Sequence, residues 1–170
     1  FQPTDALYFL HFFMKFYSEN ESLENAFSES IRSEDITVEN GLVSFAKTFF
    51  DDPYAPKRTR KHIASPIRKS TCKRINMFLR WMVRNDGKGV DFGLWNTIRT
   101  DQLLIPYDVH VERNARKLGL LKRKQRDWKA VIELTDNLKA FDANDPVKYD
   151  YALFGLGVLQ KDDPDILLLP

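Results

Sequence analysis

Apolar residues recur at helical spacing along almost the whole chain, and this pattern constrains the fold more than any other feature. Ile75, Leu79 and Met82 are one example, since residues three or four positions apart share one face of a helix. No stretch has the alternation of a half-buried strand, and there is no internal repeat. A chain of 170 residues has the length of one domain. We therefore predict an all-α fold, a single helical domain over residues 1–170 that lacks an N-terminal portion.

About eight helices are predicted from this spacing and from capping residues at their starts. They cover residues 5–17, 22–31, a segment from 37, a segment from 70 or 71, then 91–98, 109–118, 127–140 and 146–160. The first is apolar nearly all round, so we expect it to be buried. Residues 57–69 are predicted to be a loop or a short irregular helix. The apolar tail 165–170 has no predicted structure.

Charge divides the chain unequally although its net charge is only +2. Residues 1–52 form an acidic helical part, whereas residues 53–85 contain no acid at all and carry many arginines and lysines. A second basic block extends over residues 113–129. Two such blocks in one small domain predict a surface that binds a polyanion. The alternative is an ordinary solvated surface that the acidic part balances.

In the segment 103–120, an apolar run of the kind found in protein cores precedes a clearly marked helix start. The apolar residues 103–105 end at Pro106, and Asp108 follows as an N-cap for a helix over 109–118. Gly119 occupies the position of a C-terminal glycine. The carboxylate of Asp108 is therefore expected over the first backbone N–H groups of that helix. The alternative is that Asp108 is a cap and nothing else.

This segment resembles the signature of the helix-hairpin-helix DNA glycosylases, the endonuclease III superfamily. The matching residues are Pro106, Asp108, His110, Val111, Arg113, Arg116, Leu118, Gly119 and Leu120. The whole chain is more similar still to an uncharacterised bacterial family of unknown function that carries this motif. The resemblance implies a catalytic role for Asp108. Residues 151–157 likewise resemble the late superfamily helix that packs behind the active site.

A second resemblance concerns Lys73. Residues 71–76 are similar, through Lys73 and Asn76, to the context of the catalytic lysine in endonuclease III relatives. The resemblance implies that the amine of Lys73 forms a Schiff base with C1′ of a damaged nucleotide. Such an amine has to be neutral, so burial of Lys73 beside Arg74 and Arg80 is expected. The alternative is an ordinary surface lysine.

DNA contacts are expected from three segments. They are residues 65–70, which correspond to the family hairpin, the predicted helix that follows them, and the predicted helix 109–118 that carries the motif. The family hairpin has glycines, but residues 65–70 have none, so its phosphate contact must come from side chains or be absent. The predicted DNA-binding residues are Arg68, Lys69, Ser70, Arg74, Arg80, Arg113 and Arg116. Trp81, Phe92 and Trp95 are predicted to line the base pocket, with burial in the core as the alternative.

The sequence also limits partners and cofactors. Cys72 is the single cysteine of the chain, which is too few for a disulfide or for the four-cysteine iron–sulfur cluster of many relatives. His62 and His110 lack metal-ligand spacing, so we predict no metal and no cofactor. No run is apolar enough to cross a membrane. The prediction is a cytoplasmic, monomeric base-excision glycosylase with AP lyase activity on double-stranded DNA. A non-catalytic DNA-binding or scaffold protein that keeps the fold is the alternative.

Overall fold

The computed structural model describes residues 1–162, and these residues are helical without any strand. The α-helices are α1 Pro3–Glu19, α2 Asn25–Ser28, α3 Glu39–Phe49, α4 Lys73–Val83, α5 Val109–Lys117, α6 Trp128–Lys139 and α7 Asp150–Asp162. Short 3₁₀ helices cover Lys57–Lys61, Pro66–Arg68, Thr100–Gln102 and Pro146–Tyr149. The all-α prediction is confirmed. The apolar tail 165–170 lies outside the described residues.

Helix α1 is not buried all round, so that prediction is wrong. Its Tyr8 and Phe12 side chains pack on α3, where the rings of Phe12 and Phe49 lie 4.5 Å apart. Leu7 and Met14, on the opposite face, are exposed. A helix that packs on one side of a layer buries only the stripe that faces it, whatever the composition of the other stripe.

The predicted helix over 91–98 is also absent, because tertiary hydrogen bonds hold this segment in another conformation. The backbone N–H of Phe92 donates to the carbonyl of Trp81 at 2.7 Å, at the end of α4. The carboxylate of Asp91 does not cap a helix but lies 2.8 Å from the guanidinium of Arg84. The segment therefore lies across the C-terminal end of α4 and carries a buried charge there.

The turn that leads into α4 contains two left-handed residues although it has no glycine. Lys69 and Cys72 have φ angles of 57° and 49°, which cost about 1–2 kcal/mol each in a residue with a Cβ. The carbonyl of Lys69 accepts a hydrogen bond of 3.2 Å from the N–H of Trp128, where α6 begins. The turn is thereby fixed against α6, and Lys73 becomes the first residue of α4.

Helix α7 packs closely against α5, the helix that Asp108 caps. A Cβ on Gly157 would lie 2.9 Å from Cβ of His110, so only glycine permits this approach. The amide of Asn114 donates to the carbonyl of Leu153 at 2.6 Å, and Arg113 donates to that of Gly157 at 3.0 Å. These contacts fix the first turn of α7 beside the start of α5.

One cluster of buried apolar side chains includes residues from the acidic part and from the basic part of the chain. It contains Phe45 of α3, Leu79 of α4, Val111 of α5, Leu134 of α6 and Leu153 of α7. Within residues 1–162, none of the helices has the length and apolarity that crossing a bilayer requires.

Candidate active site

The two residues predicted to be catalytic are in contact. Nζ of Lys73, at the start of α4, lies 3.2 Å from Oδ2 of Asp108, at the start of α5. The Lys73 side chain is 47% exposed, so its amine opens to solvent on one side. The expected burial beside two arginines is therefore wrong, because the neighbour of the amine is a carboxylate.

The two oxygens of Asp108 have different partners. Oδ1 accepts hydrogen bonds of 2.8 Å from the backbone N–H groups of His110 and Val111, as an N-cap does. Oδ2 points to Lys73. The predicted cap is confirmed, and it leaves one oxygen of the same carboxylate available to a second group.

The Lys73–Asp108 pair lies in a cleft with a volume of about 320 Å³. Its walls combine aromatic rings with charged groups. Among the described residues it is lined by Lys73, Met77, Trp81, Pro106, Asp108, Asp150, Tyr151 and Phe154. This volume falls in the range of small-molecule sites, and the lining combines three charged groups with apolar and aromatic side chains.

Asp150 is a second carboxylate in this cleft, and its sequence context does not single it out. It is only 3% exposed, and its Oδ2 lies 2.6 Å from the guanidinium of Arg80. Burial raises the pKa of Asp150 to about 6, since Arg80 offsets only part of the cost and the charges of Asp108 and Asp91 add to it. In the sequence, the one indication of Asp150 as a site residue is that it is an aspartate at the start of an apolar helix.

Arg80 does not contact DNA from the position that it occupies, so this prediction is wrong. Its side chain is 0% exposed and lies between Asp150 and Asp91, the latter at 3.3 Å. The ring of Tyr151 covers its guanidinium at 4.0 Å. Arg80 shares the face of α4 that carries Lys73. It contacts Asp150 and Tyr151, two residues that line the cleft. Charges buried in this way are tolerated only when they are paired.

The hairpin residues predicted to bind DNA lie mostly at the surface. Lys69 and Arg74 are exposed, and Ser70 is half-buried and accepts a hydrogen bond from the N–H of Cys72. The guanidinium of Arg68 donates to the carbonyl of Ile63 and so fixes the loop before the turn.

The arginines of the motif helix also have partners within the protein. Arg113 donates to the carbonyl of Gly157. Arg116 pairs with Glu112 at 3.0 Å and donates to the carbonyl of Arg123. Both side chains therefore hold neighbouring segments in position.

The structure brings one of the three predicted pocket aromatics to the cleft. Trp81 lines it and is partly exposed. The assignment of Trp95 to the pocket is wrong, because it is 6% exposed and packs on Phe78 with ring centres 5.4 Å apart. Phe92 is exposed, but the described lining does not include it. Tyr151 and Phe154 of α7 take their places.

A larger cleft, about 480 Å³, lies beside α1. Asp52 in it contacts Lys15 at 3.0 Å and His11 at 3.2 Å. The N–H of Tyr54, with these two side chains, lowers the pKa of Asp52 to about 2. We assign the site to the smaller cleft because it contains Lys73 and Asp108, the two residues that the motif resemblance indicates.

Residues 1–159 match the model of a protein family described as "Protein of unknown function (DUF2400)". The chain belongs to the DUF2400 family. The matched range includes Lys73, Asp108 and Asp150, so all three charged residues of the cleft lie in the DUF2400 region. Searches of curated proteins and of solved structures found no match.

Proposed function

We propose that this DUF2400 protein is a base-excision repair DNA glycosylase with AP lyase activity, built on a helix-hairpin-helix glycosylase fold. The supporting observation is the 3.2 Å contact between Nζ of Lys73 and Oδ2 of Asp108 in an aromatic-walled cleft. An amine and a carboxylate at one point are what attack on a sugar carbon requires. The damaged nucleotide would be flipped out of the duplex to reach them.

The chemistry begins when Lys73 loses a proton. The proton passes to solvent, which reaches the Lys73 side chain because that side chain is 47% exposed, and a nucleotide that then fills the cleft excludes water. Nζ then forms a bond to C1′ while the bond from C1′ to the base breaks, and the electron pair leaves with the base. The carboxylate of Asp108 stabilises the positive charge that develops on the sugar.

The aromatic walls provide surfaces for the flipped base. Trp81 and Tyr151 are both partly exposed at the cleft, and Phe154 lies beside Tyr151 on α7. Stacking of a base on an aromatic ring contributes about 1–3 kcal/mol. This contribution offsets part of the cost of removing the base from the duplex, which is a few kcal/mol.

The basic surface near the cleft supports DNA as the substrate. The carbonyl of Lys69 accepts a hydrogen bond from the N–H of Trp128 at 3.2 Å. This contact joins the first basic block to the second one, where Lys129 is exposed. Arg74, next to Lys73, is exposed as well. Cations on adjacent segments can follow the phosphates on both sides of a flipped nucleotide.

One observation favours the alternative, a non-catalytic DNA-binding protein that retains the fold. Lys73 is half-exposed and its amine is paired with a carboxylate, which is also the arrangement of an ordinary surface ion pair. Such a protein would bind the same duplexes without chemistry.

Strand incision separates the two functions. Labelled duplexes that contain an abasic site or an oxidised purine are incubated with wild type, Lys73→Ala and Lys47→Ala. Lys47 is an exposed lysine of α3 in the acidic part and serves as the control. We expect incision by wild type and Lys47→Ala and none by Lys73→Ala. Binding of every duplex without incision or base release would support the alternative. Base release without incision would indicate a monofunctional glycosylase.

A further inference from the structure

The two carboxylates of the cleft have opposite surroundings. Asp108 receives two backbone N–H groups on Oδ1 and the Lys73 amine on Oδ2, so both of its oxygens have polar partners. Asp150 is almost completely buried and has one strong partner, Arg80, at 2.6 Å. That partner is shared, since Asp91 lies 3.3 Å from the same guanidinium.

Charged groups near Asp150 lie on α4, on the loop after it and at the start of α5. From α4 come Arg80 and Lys73, and from the following loop comes Asp91. At the start of α5 the charge of Asp108 opposes ionisation of Asp150, together with that of Asp91. Further along α5, the ring of His110 contacts α7 at Phe154, with ring centres 5.5 Å apart. With burial as the main cause, the pKa of Asp150 lies at about 6. Both of its forms therefore exist near neutral pH.

We infer that Asp150 is the proton-transfer residue of this cleft and acts first as an acid and then as a base. The inference rests on the proposed function. Nζ of Lys73 adds to the C1′ aldehyde of an abasic nucleotide, and the Asp150 carboxyl protonates the oxygen. The proton that Nζ then loses passes to the same oxygen, which leaves as water while the nitrogen electron pair forms the C=N bond. The Asp150 carboxylate then takes a proton from C2′, and the resulting electron pair expels the 3′ phosphate. Asp150 is thereby returned to its acid form.

This division of roles follows from the geometry. Both oxygens of Asp108 are engaged, one in the cap of α5 and one with Lys73, so this residue is suited to electrostatic stabilisation rather than to proton transfer. Protonation of Asp150 removes a buried charge and still leaves Arg80 paired with Asp91. Two carboxyl groups with such different partners are a recurrent arrangement for separate roles in one site.

The test measures the rate at which Lys73 is trapped on abasic-site duplex DNA with cyanoborohydride, in single turnover, from pH 5 to pH 8. The wild-type rate should rise with pH because the amine must be neutral, and should level off near the pKa of Asp150, about 6. In Asp150→Asn this bend should be absent, and the rate should fall about 10²- to 10⁴-fold. Asp150→Glu should restore most of the rate.

The substitution Asp91→Asn changes the surroundings of the Asp150 carboxyl and leaves Asp150 itself in place. Loss of this charge leaves Arg80 to pair with Asp150 alone, so the bend should move to lower pH. A purely structural role of Asp150 would not move it. An Asp150→Asn protein with wild-type rate and bend would overturn the inference and leave the proposed function intact. If Asp150→Asn does not fold, an unmoved bend in Asp91→Asn overturns it. Failure of wild type to be trapped would contradict the lyase itself, and the inference with it.

Discussion

At the scale of single residues, the two oxygens of Asp108 have different partners, and the proposed function gives this carboxylate two tasks. One oxygen closes the N-terminus of α5, and the other faces the amine of Lys73. A cap tolerates any side chain that offers one suitable oxygen, whereas stabilisation of a developing cation needs negative charge. The two tasks can therefore be separated by a substitution that changes charge but not shape.

Asp108→Asn should keep the cap and lose the activity. We expect the free energy of unfolding to change by less than about 1 kcal/mol and base excision to fall about 10²- to 10³-fold. Urea denaturation and incision assays measure these two quantities. Asp127→Asn is the matched control, because Asp127 caps α6 and pairs with Arg123 away from the cleft lining. A fully active Asp108→Asn protein would show that Asp108 is only a cap.

Sequence patterns predict local relations well and long-range partners poorly. Periodicity predicted the helices, and the motif residues indicated Lys73 and Asp108, which prove to be in contact. Arg80 was assigned to the surface because its partner Asp150 is 70 positions away in the chain. The segment 91–98 was assigned to a helix because its hydrogen bonds to α4 are tertiary. The spacing of residues in the sequence identifies which side chains share a face of a helix, but not which residues pack against that face.

At the scale of elements, the contact between α5 and α7 holds the cleft together. It brings Asp150, Tyr151 and Phe154 to the same cleft as Asp108. Gly157 allows the approach, since a Cβ there would overlap His110. Gly155, two positions earlier in the same helix, has open space around the position of a Cβ. The two glycines therefore form a natural pair for comparison.

Gly157→Ala should destabilise the protein by about 1–3 kcal/mol, because the extra methyl group separates α5 from α7. Incision should fall as well, since Asp150 moves away from Asp108. Gly155→Ala should be neutral or stabilise the helix by about 0.5–1 kcal/mol. Urea midpoints of the two variants provide the measurement. Equal effects of the two substitutions would contradict close packing at Gly157.

At the scale of the whole molecule, the separation of acidic and basic parts predicts how the protein meets DNA. The net charge of +2 is too small to attract a polyanion by itself. The basic residues, however, lie on segments that the contact between Lys69 and Trp128 brings together. Under the proposed function, local charge density should govern DNA binding, and counterion release should make this binding dependent on salt.

Reversal of Lys69 and Lys129 to Glu should weaken duplex binding and reduce its dependence on salt concentration. The slope of log K against log salt should decrease by about one for each phosphate that the protein no longer neutralises. Lys47→Glu, in the acidic part, makes the same kind of change outside the basic blocks and should have little effect. Fluorescence anisotropy at several salt concentrations measures all three proteins. If the affinity for duplex DNA changes neither with salt concentration nor in the double variant, this surface does not bind DNA.

The proposed reaction makes one direct claim, that Lys73 bonds covalently to the sugar of a damaged nucleotide in DNA. Borohydride converts a Schiff base into a stable adduct, and peptide mapping by mass spectrometry then identifies the attached residue. With an abasic-site or oxidised-purine duplex, we predict one adduct, on the peptide that contains Lys73, and its loss in Lys73→Ala. An adduct on Lys69 instead, or no adduct with either duplex, would contradict the claim.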